Sequence, residues 1–368
     1  MTTIEEFRAG FGEDPGYLDY GRVGPLSQTV VAEIQAQTEV LSRARFGSFD
    51  LLFREEARMR AALAAVTGFP DDQIVFQPNA STGLMQAMFG LAGEVLLSPG
   101  EFPAVTFAAE RARTALHSLS ASWLNTDHGR VTPGQVREQL TDQTTAVAVS
   151  LVDSRTGFVA DIEGIRQVIG DRLLIVDAIQ GFGVVDAPYQ VADVVASGGQ
   201  KWSRAGWGTG FLALSERALD FLNPVISGHS GAAGESWDQV PAPVRSIRAF
   251  TVSNTDQTAA ARLAAAAEEI AEVGVGRIQA AVADRVDSVI GLADEFAIEV
   301  SSSRDERERA GIVVIVPDQL TLLTASLHNH GITVTTRGPA VRLSVHAGTS
   351  DETIQMLRSA FTSYATML

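Results

Sequence analysis

Two periodicities divide the chain. Residues 27–43 and 52–66 carry apolar side chains at helical spacing, with Val30, Val31, Ile34 and Leu41 on the first. From residue 74 onward short apolar runs take over, and 74–77, 95–98, 146–152, 173–177, 194–196 and 211–214 read as strands. Helical patterns at 82–92, 103–117, 133–140 and 161–169 fall between several of them, and Thr82 and Thr132-Pro133 are helix-start signals. Such alternation, with strands apolar on both faces, implies an α/β unit: a mainly parallel sheet covered by helices on each side. Ahead of it, residues 17–25 (Tyr17-Leu18-Asp19-Tyr20-Gly21-Arg22-Val23-Gly24-Pro25) read as a short strand and turn after an N-terminal arm of residues 1–15.

The texture changes near residue 256. An Ala-rich helix at 259–269 and another at 276–294 precede expected strands at 311–316, 332–335 and 341–345, with helices at 317–329 and 351–366. That is an α+β module with its own small sheet. The expected division is a large domain, 16–256, and a small C-terminal domain, 257–368. A length of 368 residues accommodates both.

Composition narrows the chemistry. A formal charge of −16 repels phosphate backbones, so nucleic acid is disfavoured, and a cationic or zwitterionic small substrate suits the balance better. No apolar run approaches the length of a membrane span and the N-terminus is acidic, so a cytoplasmic protein is expected. Zero Cys excludes disulfides, thiolate metal sites and a cysteine nucleophile. The six His form no pair at ligand spacing with nearby carboxylates, and no metal is expected. Of the 28 Lys+Arg, Lys201 is the single lysine. Arginine serves wherever a positive charge is enough, but it cannot supply a deprotonated amine to attack a carbonyl.

The surroundings of Lys201 give that singularity meaning. It lies in Ser197-Gly198-Gly199-Gln200-Lys201-Trp202, after an expected strand and before the Gly-rich stretch 206–210. Upstream, Asp177 closes the strand 173–177 and is followed by Ala178-Ile179-Gln180. Ligands of open α/β sheets bind at the carboxyl ends of strands. A carboxylate to hold a pyridinium nitrogen, followed by a lysine able to form a Schiff base, is the minimum for pyridoxal 5′-phosphate (PLP) chemistry. A third element, Gln77-Pro78-Asn79-Ala80-Ser81-Thr82-Gly83, places small and hydroxylated residues between a strand and a helix, where backbone N–H groups favour a phosphate.

With these three in chain order, the sequence resembles the class V aminotransferase superfamily of fold-type I PLP enzymes over nearly its whole length. The resemblance implies that Ala80, Ser81 and Thr82 hold the phosphate, and that Phe102 stacks on the pyridine face where the family commonly has His. It implies that Ser154 and Gln180 contact the phenolic oxygen, that Asp177 faces the ring nitrogen and that Lys201 carries the cofactor. Arg342, in Val341-Arg342-Leu343-Ser344-Val345-His346, matches the clamp for a substrate α-carboxylate. Gln200 stands where the family usually has His beside the lysine. Phe250-Thr251-Val252-Ser253-Asn254-Thr255 replaces the partner-subunit segment, with Ser253 or Thr255 as the hydroxyl reaching the partner's phosphate in a homodimer.

Within the superfamily the chain is most similar to the ergothioneine-pathway lyases that cleave hercynylcysteine sulfoxide. That similarity implies β-elimination from a cysteine S-conjugate sulfoxide, yielding pyruvate and ammonia. Arg22, Phe46 and Phe49 are then candidates for the substrate, the aromatics for a distal trimethylammonium group or else for helix-end packing. Desulfuration through a catalytic Cys is excluded. An aminotransferase or epimerase on the same scaffold is the alternative; a non-catalytic PLP-binding protein is a further one, which the Arg342 clamp disfavours.

Overall fold

The computed structural model describes residues 2–43, 45–234 and 239–368. Its large sheet has seven strands: β1 (Ile74–Phe76), β2 (Gly93–Leu97), β3 (Leu119–Trp123), β4 (Thr144–Ser150), β5 (Leu173–Asp177), β6 (Val194–Gly198) and β7 (Gly210–Leu214). They are ordered β1-β7-β6-β5-β4-β2-β3. The expected α/β architecture is present. Strand β7 runs antiparallel to both its neighbours, and the remaining pairings are parallel.

The central strands read as continuous apolar runs because both their faces are covered. In β5, Leu174 and Val176 join one core, while Leu173 and Ile175 join the core on the opposite face. Each such burial contributes about 1.5–3 kcal/mol. Strand β3 escaped the sequence reading because it is an edge, with Leu119 its single buried residue; edge strands lose the apolar signal on their open side.

The small sheet contains β8 (Glu299–Val300), β9 (Ile312–Val316), β10 (Thr335–Arg337) and β11 (Ala340–Ser344), all antiparallel, in the order β10-β11-β9-β8. The strand expected at 332–335 is displaced toward the C-terminus. Ile332 instead closes the preceding helix by donating its N–H to Leu327 O (2.9 Å). Pairing starts where the Gly338-Pro339 turn brings Arg337 opposite Ala340.

Two of the connections between the units are these. Residues of the early turn pair with the small sheet, Tyr17 with Thr333 and Asp19 with Ser344. The Ala-rich helix Gln257–Val273 packs back on Glu55–Thr67 and Gln28–Ser42, its small side chains permitting close approach. We propose residue 256 as the division between the units, with these two connections crossing it. No helix among the described residues is long and apolar enough to cross a membrane.

Candidate active site

Strand β5 ends at Asp177 and β6 leads into the loop of Lys201, so both side chains emerge at the carboxyl edge of the sheet. The loop from β6 to β7 is compact. Gly199 N–H donates to Thr209 O (2.8 Å), Ala205 N–H to Gly199 O (2.7 Å) and Arg204 N–H to Lys201 O (3.1 Å). Gly206 and Gly208 sit at φ 82° and 79°, where a Cβ would be strained. His346, at the end of β11, pins this loop to the small sheet: its Nε2 donates to Trp202 O (2.9 Å) while its Nδ1 accepts from Ala347 N–H (2.8 Å). Burial holds that imidazole neutral, its pKa lowered to about 3.

These elements enclose a cavity of ≈ 480 Å³. Lys201 and Asp177 both line it and both are buried. Burial, helped by the Arg342 and Arg337 charges and opposed by Asp177 and Asp19, lowers the Lys201 pKa to about 8. The ammonium lies 5.4 Å from the centre of the Phe102 ring. Burial pushes the Asp177 pKa up, opposed by the Ile179 N–H (3.1 Å to Oδ1) and by the Lys201 charge. Among the described residues the Asp177 carboxylate has no other hydrogen-bond partner. A buried carboxylate with one neutral donor needs a cation, and a protonated pyridine nitrogen supplies one.

The rest of the cavity fits the same cofactor. Asn79 caps the helix Ala80–Gly90 by accepting from Thr82 N–H (2.9 Å), and Asn79, Ala80 and Ser81 line the wall. The helix's first N–H groups make that wall an anion seat. Phe102 and Ile179 are apolar walls suited to an aromatic ring, and Gln200 completes the lining on the lysine loop.

Arg342 projects from β11 into the cavity, buried and fully engaged on one side. Its Nη1 donates to Ser154 O (3.1 Å), and its Nη2 to Asp19 Oδ1 and Thr335 Oγ1 (both 3.3 Å). Its Nε is buried with no hydrogen-bond partner among the described residues.

The structure therefore brings together Ala80, Ser81, Phe102, Asp177, Gln200, Lys201, Arg342 and Arg22 of the expected site residues. Others stand apart from the lining. Thr82 turns its hydroxyl to Asn79 (3.1 Å). Gln180 spends its amide on Gly21 O and on Trp202 Nε1–H (both 2.9 Å), bracing the lysine loop. Ser154 serves Arg342 through its carbonyl. Ser253 is exposed, Thr255 half-buried, and neither lines the cavity of its own chain. Phe46 and Phe49 are exposed and do not line it.

Of the cationic or zwitterionic substrate expected from the overall charge, the zwitterion suits the cationic wall that Arg22, Arg337 and Arg342 give this cavity within an acidic protein. Sequence reading missed Asp19, Thr335 and Arg337. A carboxylate within the apolar stretch around Leu18 was a usable signal for Asp19. Arg337 had none, because its place depends on the β10–β11 register. Among the described residues no cluster suited to a metal ion occurs.

Comparison with known proteins agrees with this geometry. The family model "Aminotransferase class-V" matches residues 24–367. A probable cysteine desulfurase of Methanothermobacter thermautotrophicus is 26% identical over 239 residues, 58% of this chain and 56% of that protein. The chain thus matches little more than half the length of that relative. A probable hercynylcysteine sulfoxide lyase of Mycobacterium tuberculosis is 29% identical over 170 residues, 44% of this chain and 42% of that one. Among solved structures, a C-DES variant with glycine covalently linked to its PLP cofactor superposes with a TM-score of 0.86 at 20% identity, covering 96% of this chain and 98% of that one.

Proposed function

Since this chain belongs to the class-V aminotransferase family, we propose that it is a carbon–sulfur lyase that performs β-elimination on a cysteine S-conjugate sulfoxide. Its cofactor is pyridoxal 5′-phosphate. When bound, that cofactor supplies an electron sink conjugated to the nitrogen of the substrate amino acid.

The observation that carries the reading is a carboxylate clamp beside a depressed lysine in a chain with no cysteine. Sulfur relay through a protein thiol is closed to this sequence, although several relatives are named desulfurases. The similarity to the hercynylcysteine sulfoxide lyase supports a sulfoxide leaving group, and hercynylcysteine sulfoxide itself is the substrate we propose.

Asp177 holds the proton on the ring nitrogen. Arg342 orients the α-carboxylate through its guanidinium, which lines the cavity. Phe102, in the place the family commonly gives to His, cannot move a proton, so the task falls to Lys201. Lys201 Nζ accepts the α-proton; the electron pair of the Cα–H bond expels sulfur as the Cβ–S bond breaks. Sulfur leaves with the bonding pair, and water converts the three-carbon remainder to pyruvate and ammonia. A lysine with a pKa of about 8 suits a base near neutral pH.

We further propose a homodimer. Ser253 and Thr255 leave their own cavity unserved, and Val252 beside them is exposed, as are Phe46 and Phe49.

The test is to incubate the holoenzyme with S-alkyl cysteine sulfoxides and to assay pyruvate, new amino acid and racemised substrate separately. The lyase reading requires equal amounts of pyruvate and ammonia with no keto acid added. Turnover that depends on added 2-oxoglutarate would replace it with a transaminase.

A further inference from the structure

Arg22 and Arg337 flank Arg342 on the cavity wall, and neither guanidinium has an ion pair or hydrogen bond among the described residues. Both lower the proton affinity of Arg342, and Arg337 that of Lys201 too, so their charges are felt at the substrate end of the cavity. They come from different elements: Arg22 from the turn after Tyr20, Arg337 from the end of β10, opposite Ala340. Three arginines around one space repel one another. Asp19 offsets part of that repulsion by pairing with Arg342 at 3.3 Å. The α-carboxylate would offset one further charge, and the cofactor phosphate would be held elsewhere, by Asn79, Ala80 and Ser81 at the start of the helix Ala80–Gly90, with Gln200 on the lysine loop.

From this surplus we infer that Arg22 and Arg337 form a second anion seat, and that the substrate carries a second carboxylate on the group attached to sulfur. The inference deepens the lyase reading and rests on it for the identity of the substrate, but the seat itself is a binding property. An S-conjugate ending in a carboxylate reaches outward from the clamped α-carboxylate toward the cavity mouth, where both arginines are exposed to solvent. Among the described residues Phe102 is the single aromatic of the lining, and the arginines are its cationic groups at the mouth.

The experiment uses holoenzyme and ligands that cannot react. Glutarate and butyrate match in chain length up to the second carboxylate, and their affinities are measured by titration calorimetry in low salt. Two exposed ion pairs favour glutarate by roughly tenfold. In the double variant Arg22→Gln/Arg337→Gln that ratio falls to near one, with cofactor content unchanged. Arg342→Gln weakens both ligands instead. Equal affinities in the wild type overturn the proposal. So does a preference for glutarate that survives in the double variant. Loss of cofactor in the double variant, with the ratio intact, would assign the two arginines to the phosphate and equally end it. Because nothing turns over, these outcomes are separate from the pyruvate assay, which decides the lyase reading alone. If both hold, S-(2-carboxyethyl)cysteine sulfoxide has the lower KM against S-propylcysteine sulfoxide, and the double variant removes the difference.

Discussion

The reactivity of Lys201 follows from its burial, and can be measured as a pH profile of cofactor capture. An exposed lysine titrates near 10.4, whereas burial beside Arg342 and Arg337 brings Lys201 to about 8. Near pH 7.5 this raises the neutral, nucleophilic fraction from about one part in a thousand to about a quarter, a gain of roughly 200-fold. Apoprotein mixed with PLP should therefore develop visible absorbance at a rate that climbs about tenfold per pH unit up to about 8 and then levels. Two substitutions move the break in opposite directions. Arg337→Gln removes a cation and raises it; Asp177→Asn removes an anion and lowers it. The α-amino group also titrates near 8, so borohydride-trapped adducts are mapped, and Lys201→Arg must show none at residue 201. A linked effect appears in stability. Because the folded pKa lies below the unfolded one, the unfolded chain binds more protons between pH 8 and 10.5, and apoprotein stability rises across that interval by about 3 kcal/mol. A capture rate that keeps rising through pH 10 would refute the reasoning, as would a break unmoved by both substitutions.

Arg342→Ala should lower kcat/KM by about 10- to 100-fold, mostly through KM, as a charge-assisted contact is lost. It should also lower Tm, because Asp19 stays buried without its cation. Glu101, next to Phe102, accepts from Ser150 N–H (3.0 Å) and Oγ–H (2.5 Å), and burial raises its pKa to about 7. Its folded pKa exceeds the unfolded value, so stability falls as pH rises from 4.5 to 7; Glu101→Gln should flatten that slope in urea denaturation. Gly24→Ala places a Cβ 2.0 Å from Lys201 O, and should displace the lysine loop and weaken PLP retention, read by dialysis and absorbance. Light scattering should give a dimer, and Thr255→Ala or Ser253→Ala should weaken PLP binding by about 1.5–3 kcal/mol if that hydroxyl reaches the partner's phosphate; a fully active monomer would exclude the arrangement.

Much of the large unit was legible because its signals are local. The run 173–177 is uniformly apolar since both faces of β5 are buried, and its bounds match the structure. Boundary residues marked helices in the same way, as Thr132-Pro133 does for Pro133–Gln139. Lys201 and Asp177 stood out because one is the single lysine and the other ends an apolar strand, and neither signal needs a distant partner. What local pattern could not show was assembly. Arg337 joins Arg342 only through the register of a hairpin, and Asp19 reaches it across 323 residues of chain. Gln180 resembled a cofactor contact, yet its amide braces Gly21 and Trp202. Phe46 and Phe49, candidates for a distal substrate group or for helix-end packing, lie exposed in the single chain. The overall charge of −16 suggested a cationic or zwitterionic ligand, and gave no sign that the fold gathers three arginines around one cavity. Residue type and spacing decide which chemistry a chain can perform, since burial patterns and caps act within a few residues. Which charges face one another is decided by packing, because Coulomb energies depend on distances in space that sequence separation does not encode.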